Sequence, residues 1–156
     1  MTTAKKKRTR LSPEVRKELI LDHAAEVVEK EGVSALSMER LGKEAQISKS
    51  LVYAYYPSMT ELLQSLLKRE HKRLRALQDK AAMSAETFEQ LVRRMTRAYL
   101  SYMDERGLIL ERLSAEPSLF NQGDPTEYSR DVAVKYLAKI VQNNFDDRKD
   151  ELKIGI

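Results

Sequence analysis

The sequence predicts an all-α fold. Apolar residues recur at three- and four-residue steps through most of the chain, and Ser, Pro and Asp stand where helix starts need caps. No segment offers a credible strand ladder. Ser12 and Pro13 open the first helix, because a Ser hydroxyl accepts from a free backbone N–H and Pro loses nothing at the first helical position. Ile20, Ala24, Val27 and Val28 form its apolar stripe, and Gly32 can end it. A second helix runs from about Ser37 to Ala45. A third runs from Ser48 to Tyr56, where Pro57 removes an amide donor. Ser58-Met59-Thr60-Glu61 has the form of a capping box, so a fourth helix begins there. Leu62, Leu63, Leu66, Leu67, Leu74 and Leu77 give that helix a long buried face, which predicts that it reaches beyond Leu77.

The second half repeats this grammar. Phe88, Leu91, Val92, Met95, Tyr99, Tyr102 and Met103 fall on one helical stripe. Gly107 is expected to break that helix or begin the next, which carries Leu108, Leu110 and Leu113 as far as Pro117. Ser118 to Gly123 reads as a loop. Asp124-Pro125-Thr126-Glu127 is another capped start, and Leu137, Ile140 and Val141 line the helix after it. The expected organisation is a flexible basic arm over 1–11, a three-helix domain over 12–57 and a helical domain over 58–156.

Charge is unevenly placed. The chain has a formal net charge of +4. Lys5, Lys6, Lys7, Arg8 and Arg10 alone supply +5, which leaves −1 for everything after Arg10. The basic character is therefore an arm, and a polyanion would be felt there first. The bland alternative is a solubilising tail. The chain has no cysteine, so disulfides and thiolate metal sites are excluded. No apolar run approaches the ~20 residues of a membrane span, and the basic N-terminus lacks the apolar stretch of a secretory signal. A cytoplasmic protein with no membrane partner is expected.

Ser37 to Leu63 carries the most specific signal. Two short helices, a tight connection and the capped start of a third make the pattern of a helix-turn-helix DNA reader. A B-DNA major groove admits one α-helix and presents distinct donors and acceptors there. A reading helix thus needs short or polar side chains near its start and an apolar stripe to hold it on its support. Ser48, Lys49, Ser50, Tyr53 and Tyr55 supply the former, and Val52 and Tyr56 the latter. Ser37 and Ser48 stand at helix starts, where a hydroxyl and free N–H groups can grip phosphate. Taken singly, each Ser is an N-cap. Taken with the arm and three tyrosines in four positions, they point to double-stranded DNA.

At these residues the chain resembles the DNA-binding domain of TetR-family transcriptional regulators. Ser37 takes the position that opens the family's second helix, Val52-Tyr53-Ala54-Tyr55-Tyr56 that of its Leu-Tyr-x-x-Phe, and Leu62-Leu63 closes the pattern. The resemblance implies that Ser48 and Tyr53 contact phosphate while Lys49, Ser50, Leu51 and Tyr55 approach bases. It implies a homodimer on a near-palindromic operator, and a repressor released by a small apolar effector. Two positions depart from the pattern. Gln46 stands where the turn usually carries Gly, and Met59 replaces the Lys that usually opens the fourth helix and touches phosphate. The arm, Lys5 to Arg10, can compensate for that lost cation.

The second half is either core or pocket. A Met and aromatic stripe usually packs as core, yet buried Tyr needs a hydroxyl partner, and mixed Tyr and Met surfaces suit an adaptable cavity. Ligand-binding candidates are Phe88, Met95, Tyr99, Tyr102, Met103, Leu110, Leu113 and Phe120, in the cavity that the resemblance implies among the fifth to seventh helices. Arg94, Arg97 and Glu111 are candidates for orienting a charged ligand group. His23 and His71 lie on different helices without metal-binding partners in the pattern, and no Gly-rich phosphate loop occurs. Neither an enzyme site nor a cofactor or metal is expected. Family members usually dimerise through two further long helices, whereas this chain stops at Ile156 after one. Either the chain is a shortened member, or it is a truncated product, or dimerisation uses a different face; the expectation is a shortened regulatory domain, by truncation or by nature, with a weakened dimer. Two other readings stay open: a DNA-binding regulator governed by a protein partner, and a helical interaction protein with a degenerate helix-turn-helix.

Overall fold

The computed structural model describes residues 12–121, 123, 125 and 130–145, with the side chains of the last helix described over 134–142. Six α-helices follow in order: α1 (Pro13–Glu31), α2 (Met38–Glu44), α3 (Lys49–Tyr55), α4 (Met59–Met83), α5 (Phe88–Ser114) and α6 (Arg130–Phe145). Short 3-10 turns occupy Val33–Ala35 and Pro117–Leu119. No β-strand occurs among the described residues. The chain divides into two compact units, Met1–Leu62 and Leu63–Ile156, so the boundary falls inside α4. The capping box at Ser58 starts α4, and the first turn of that helix, through the buried Leu62, lies in the first unit.

In the first unit the caps form as the side-chain chemistry requires. The Oγ atoms of Ser12, Ser37 and Ser48 accept from the backbone N–H three residues on, at 3.3, 3.1 and 3.2 Å. Ser58 does the same for Glu61 at 3.1 Å. Gly32 ends α1 at φ 93°, a left-handed value open to glycine, and its N–H donates to the Val28 carbonyl. The α1 stripe, Ile20, Ala24, Val27 and Val28, is buried along with Leu21 and Ala25. Leu36, Met38, Leu41, Ala45, Val52, Tyr56 and Leu62 complete this unit's core. Arg40 ties α1 to α2: its guanidinium donates to Glu31 and Glu44, at 2.9 Å and 2.8 Å for the Nη1 and Nε bonds.

In the second unit α4 and α5 run antiparallel, because their contacts climb one helix while descending the other. Gln64 donates to the Leu119 carbonyl, Glu70 meets Tyr102 and Arg106, and Ala82 packs with Leu91 and Met95. Gly107 neither breaks nor starts a helix, since α5 continues through it to Ser114. The residue is buried, and a Cβ there would stand 3.1 Å from the Met103 Cε, so close packing explains the glycine. Thr87 caps α5 by accepting from Gln90 N–H, a start that the sequence reading passed over.

The seven-residue stripe on α5 also divides. Leu91, Met95 and Tyr102 are buried, whereas Phe88, Val92 and Tyr99 are 45, 49 and 43% exposed. The buried seam runs Leu91, Met95, Tyr102, Ile109, Leu113. At ~100° per residue the exposed three lie roughly 60–100° round the helix from Leu91. On α6, Tyr136, Ile140 and Val141 pack against the Ala82, Leu91 and Met95 cluster, while Leu137 is exposed. The capped start expected at Asp124 lies outside the described residues, apart from Pro125.

Candidate nucleic-acid interface

The connection from α2 to α3 closes on backbone hydrogen bonds. Ile47 N–H donates to the Gly42 carbonyl at 2.8 Å and Gln46 N–H to the Lys43 carbonyl at 3.2 Å. That pair of bonds is a Schellman motif, whose turning residue must be left-handed. Gln46 is that residue, at φ 53°. The conformation usually left to glycine is thus carried here by a larger side chain. Gly42 has a second duty, closeness: a Cβ there would lie 3.0 Å from the Ile47 carbonyl oxygen and 3.2 Å from the Lys49 nitrogen. Both neighbours are backbone, so the absence of a side chain at 42 lets α3 start against α2.

This turn presents α3 with two distinct sides. Val52 and Tyr56 are buried, and the Tyr56 hydroxyl donates to the Lys17 carbonyl of α1 at 3.4 Å. Ser48, Lys49, Ser50 and Tyr53 are exposed, while Leu51 and Tyr55 are half-buried. Ser48 and Ser50 Oγ lie 3.0 Å apart at the helix start, and Ser48 also caps it. Ser37 is exposed at the start of α2. The surface therefore offers hydroxyls, one ammonium and open N–H groups at two helix N-termini, a set suited to phosphate oxygens and base edges. Met59 opens α4 half-buried, and the arm residues Lys5, Lys6, Lys7, Arg8 and Arg10 lie outside the described residues.

The proposed ligand residues are dispersed. Met95, Tyr102, Leu110 and Leu113 are buried, Met103 is half-buried beside Gly107, and Phe88, Tyr99 and Phe120 are exposed. Arg94 donates to the Ser84 carbonyl, and Arg97 and Glu111 are exposed. Tyr102 has the hydroxyl partner that burial demands: it donates to Glu70 Oε2 at 2.7 Å. Glu70 is fully buried and also accepts from Arg106 Nε at 3.0 Å and Nη2 at 2.9 Å, from Arg69 at 3.3 Å and from Arg73 at 3.4 Å. Burial pushes the Glu70 carboxyl up, but the hydrogen bonds from Arg106 and Tyr102 and the charges of Arg106 and Arg69 outweigh it and hold the group below its usual value. Burial first, then the Glu70 carboxylate, pushes the Tyr102 hydroxyl far above the ordinary tyrosine range.

Sequence reasoning missed this cluster. Its signal was the interruption of the α4 seam, where Glu70 stands between Leu67 and Leu74 at a position the period reserves for an apolar residue. Above the cluster lies an open groove of about 500 Å³, lined by Arg73, Ala76, Leu77 and Lys80 of α4 and Tyr102, Glu105 and Arg106 of α5. Among the described residues no group of acidic or imidazole side chains is arranged to hold a metal, and no helix is long and apolar enough to cross a membrane.

Comparison with known proteins bears on the same segment. Residues 20–66 match the family of bacterial regulatory proteins, tetR family. The HTH-type transcriptional repressor KstR of Mycolicibacterium smegmatis is 27% identical over 143 residues, covering 76% of this chain and 69% of that protein. The protein of the same name from Mycobacterium tuberculosis is 34% identical over 77 residues, 49% of this chain and only 35% of its own length. A TetR-like transcriptional regulator from Rhodococcus sp. RHA1 superposes with a TM-score of 0.65 at 25% identity, over 88% of this chain and 75% of that one. A tetR family regulator from Shewanella sp. PV-4 superposes with a TM-score of 0.66 at 16% identity, covering 85% and 71%, and shares the fold. Residues 20–66 thus carry the match to the tetR family of bacterial regulatory proteins, and the all-helical architecture, the helix-turn-helix and these relatives support a TetR-family DNA-binding transcriptional regulator.

Proposed function

We propose that this regulator is a ligand-responsive repressor that reads a near-palindromic operator as a homodimer. One observation carries the reading. The helix α3 buries Val52 and Tyr56 and leaves Ser48, Lys49, Ser50 and Tyr53 on its open side. Ser37, Ser48 and Tyr53 then contact phosphates, while Lys49, Ser50, Leu51 and Tyr55 approach base edges. Two such helices enter successive major grooves about 34–36 Å apart, which makes half-site spacing a geometric requirement. The Lys5 to Arg10 arm adds the phosphate charge that Met59 lacks.

Repression is the sign favoured by the two KstR relatives, both transcriptional repressors. The effector is a small molecule with an apolar body, held by the unit from Leu63 onward. Its arrival changes the spacing of the paired reading helices and so weakens two-site engagement. Mobility shift against sequences selected from a random pool provides the test. Lys49→Ala is expected to weaken the selected site by about tenfold, and Tyr55→Ala to relax its base preference. Both variants binding and selecting like the wild type would remove α3 from the reading role.

A further inference from the structure

Beyond the basic arm, the unit that presents α3 is acidic. Between Leu11 and Leu62 nine Asp and Glu stand against six Lys and Arg, a balance of −3. Sequence-independent binding to DNA is mostly a matter of cations meeting phosphates, and the body of this unit works against it. The placement of charge on α2 shows where that opposition is focused.

Four charged side chains on α2 go to two different places. Arg40 and Glu44 pair with each other, and Arg40 also holds Glu31 of α1. Glu39 and Lys43 form a second pair at 2.9 Å, with side chains 60 and 76% exposed. Gly42 fixes the side that this second pair occupies. A Cβ there would point at the Lys49 nitrogen and the Ile47 carbonyl oxygen, so position 42 marks the junction with α3. At ~100° per residue Glu39 and Lys43 lie roughly 60° and 100° round α2 from that direction, both to one side, and the buried Met38, Leu41 and Ala45 lie to the other. The pair therefore stands on the open face beside the start of α3. The hydrogen bond from Lys43, the Lys43 charge and then the Lys49 charge hold the Glu39 carboxyl below its usual value. One carboxylate thus answers an ammonium on each of the two helices.

We propose that Glu39 is a positioning residue for DNA specificity, which keeps Lys43 off the phosphates and sets a negative charge beside Lys49. A complex with arbitrary DNA has no fixed register and settles wherever cations meet phosphates. It loses Lys43 and meets the Glu39 carboxylate as a repulsion. An operator complex is held in register by the base contacts of α3 and depends less on either. The pair consequently widens the gap between the two affinities, and that ratio decides occupancy among many competing sites. This role rests on the DNA-reading assignment of α3 above.

The test uses the full chain and fluorescence anisotropy over a salt series, with a selected operator and a shuffled duplex of the same composition. Glu39→Gln is expected to tighten the shuffled duplex about threefold to tenfold and to steepen its log–log salt slope by about one, while operator affinity changes by less than about twofold. Lys43→Gln added to Glu39→Gln removes most of that gain. Glu89→Gln, which deletes the carboxylate of an exposed pair with Arg93 in the second unit, leaves the ratio unchanged. Thermal melts of Glu39→Gln are expected to match the wild type, because the pair is exposed. A Glu39→Gln protein that gains equally on both duplexes, or on neither, overturns the role of Glu39. A wild type that binds both duplexes alike, with Lys49→Ala indistinguishable from it, instead sinks the reading assignment of α3.

Discussion

The two units are built on opposite principles. In the first, the buried side chains among the described residues are apolar but for the Tyr56 hydroxyl, and polar groups work as helix caps and in the Arg40 bridge between α1 and α2. The second contains the buried charges of the described chain, Arg69 and Glu70, with Tyr102 and Arg106 closing around the carboxylate. An apolar core with backbone-closed turns has one low-energy arrangement. A buried carboxylate depends instead on keeping its donors in place. The first unit is thus held by apolar packing and main-chain turns, and the second adds a buried charge cluster.

The largest test of this contrast is Glu70→Ala. Removing the carboxylate takes away the acceptor that Arg69, Arg106 and Tyr102 share, leaving Tyr102 its bond to the Glu70 backbone carbonyl, and is expected to destabilise the second unit by about 3–5 kcal/mol in urea melts. A loss below about 1 kcal/mol would mean that the cluster is ornamental. Acid acts in the same direction. Because the Glu70 carboxyl is held below its unfolded value of 4.5, its contribution is full above that pH and is lost as pH falls below 4.5 toward the folded value. Circular dichroism melts between pH 6 and acid should show that loss in the wild type and a flatter profile in Glu70→Ala.

Gly42→Ala probes the other side of the comparison. The new Cβ meets two backbone atoms, so overpacking of about 1–3 kcal/mol is only partly offset by the ~1 kcal/mol better helix propensity of alanine. A net loss near 1 kcal/mol, with weakened operator binding from a displaced α3, is expected; a more stable variant would show slack in the turn. Smallest is Gln46→Gly, which removes the strain of a left-handed glutamine and should raise stability by about 0.5–1 kcal/mol. A fall on that substitution would mean that contacts of the Gln46 side chain outweigh its backbone strain.

These physical differences also explain what the sequence made legible. Caps are local, and Ser12, Ser37, Ser48 and Ser58 all accept from the N–H three residues on. The sides of α3 follow equally from the four-residue spacing of Val52 and Tyr56. Gly107 misled because a glycine within a helix looks the same in sequence whether it breaks the helix or admits a neighbouring side chain. The α5 stripe misled because seven apolar residues span more arc than one partner helix covers. Glu70 was legible only as an irregularity in the α4 seam, since its donors come from residues 32 and 36 positions away as well as from its own helix.

The turn at Gln46 separates the aiming of α3 from the side chains that the helix exposes. Gly42, Lys43 and Ile47 aim α3 through main-chain bonds and close approach, and Val52 and Tyr56 hold it from beneath. The exposed positions Lys49, Ser50 and Tyr53 take no part in that aiming. Side chains at those positions can therefore be exchanged while the scaffold that presents α3 stays as it is.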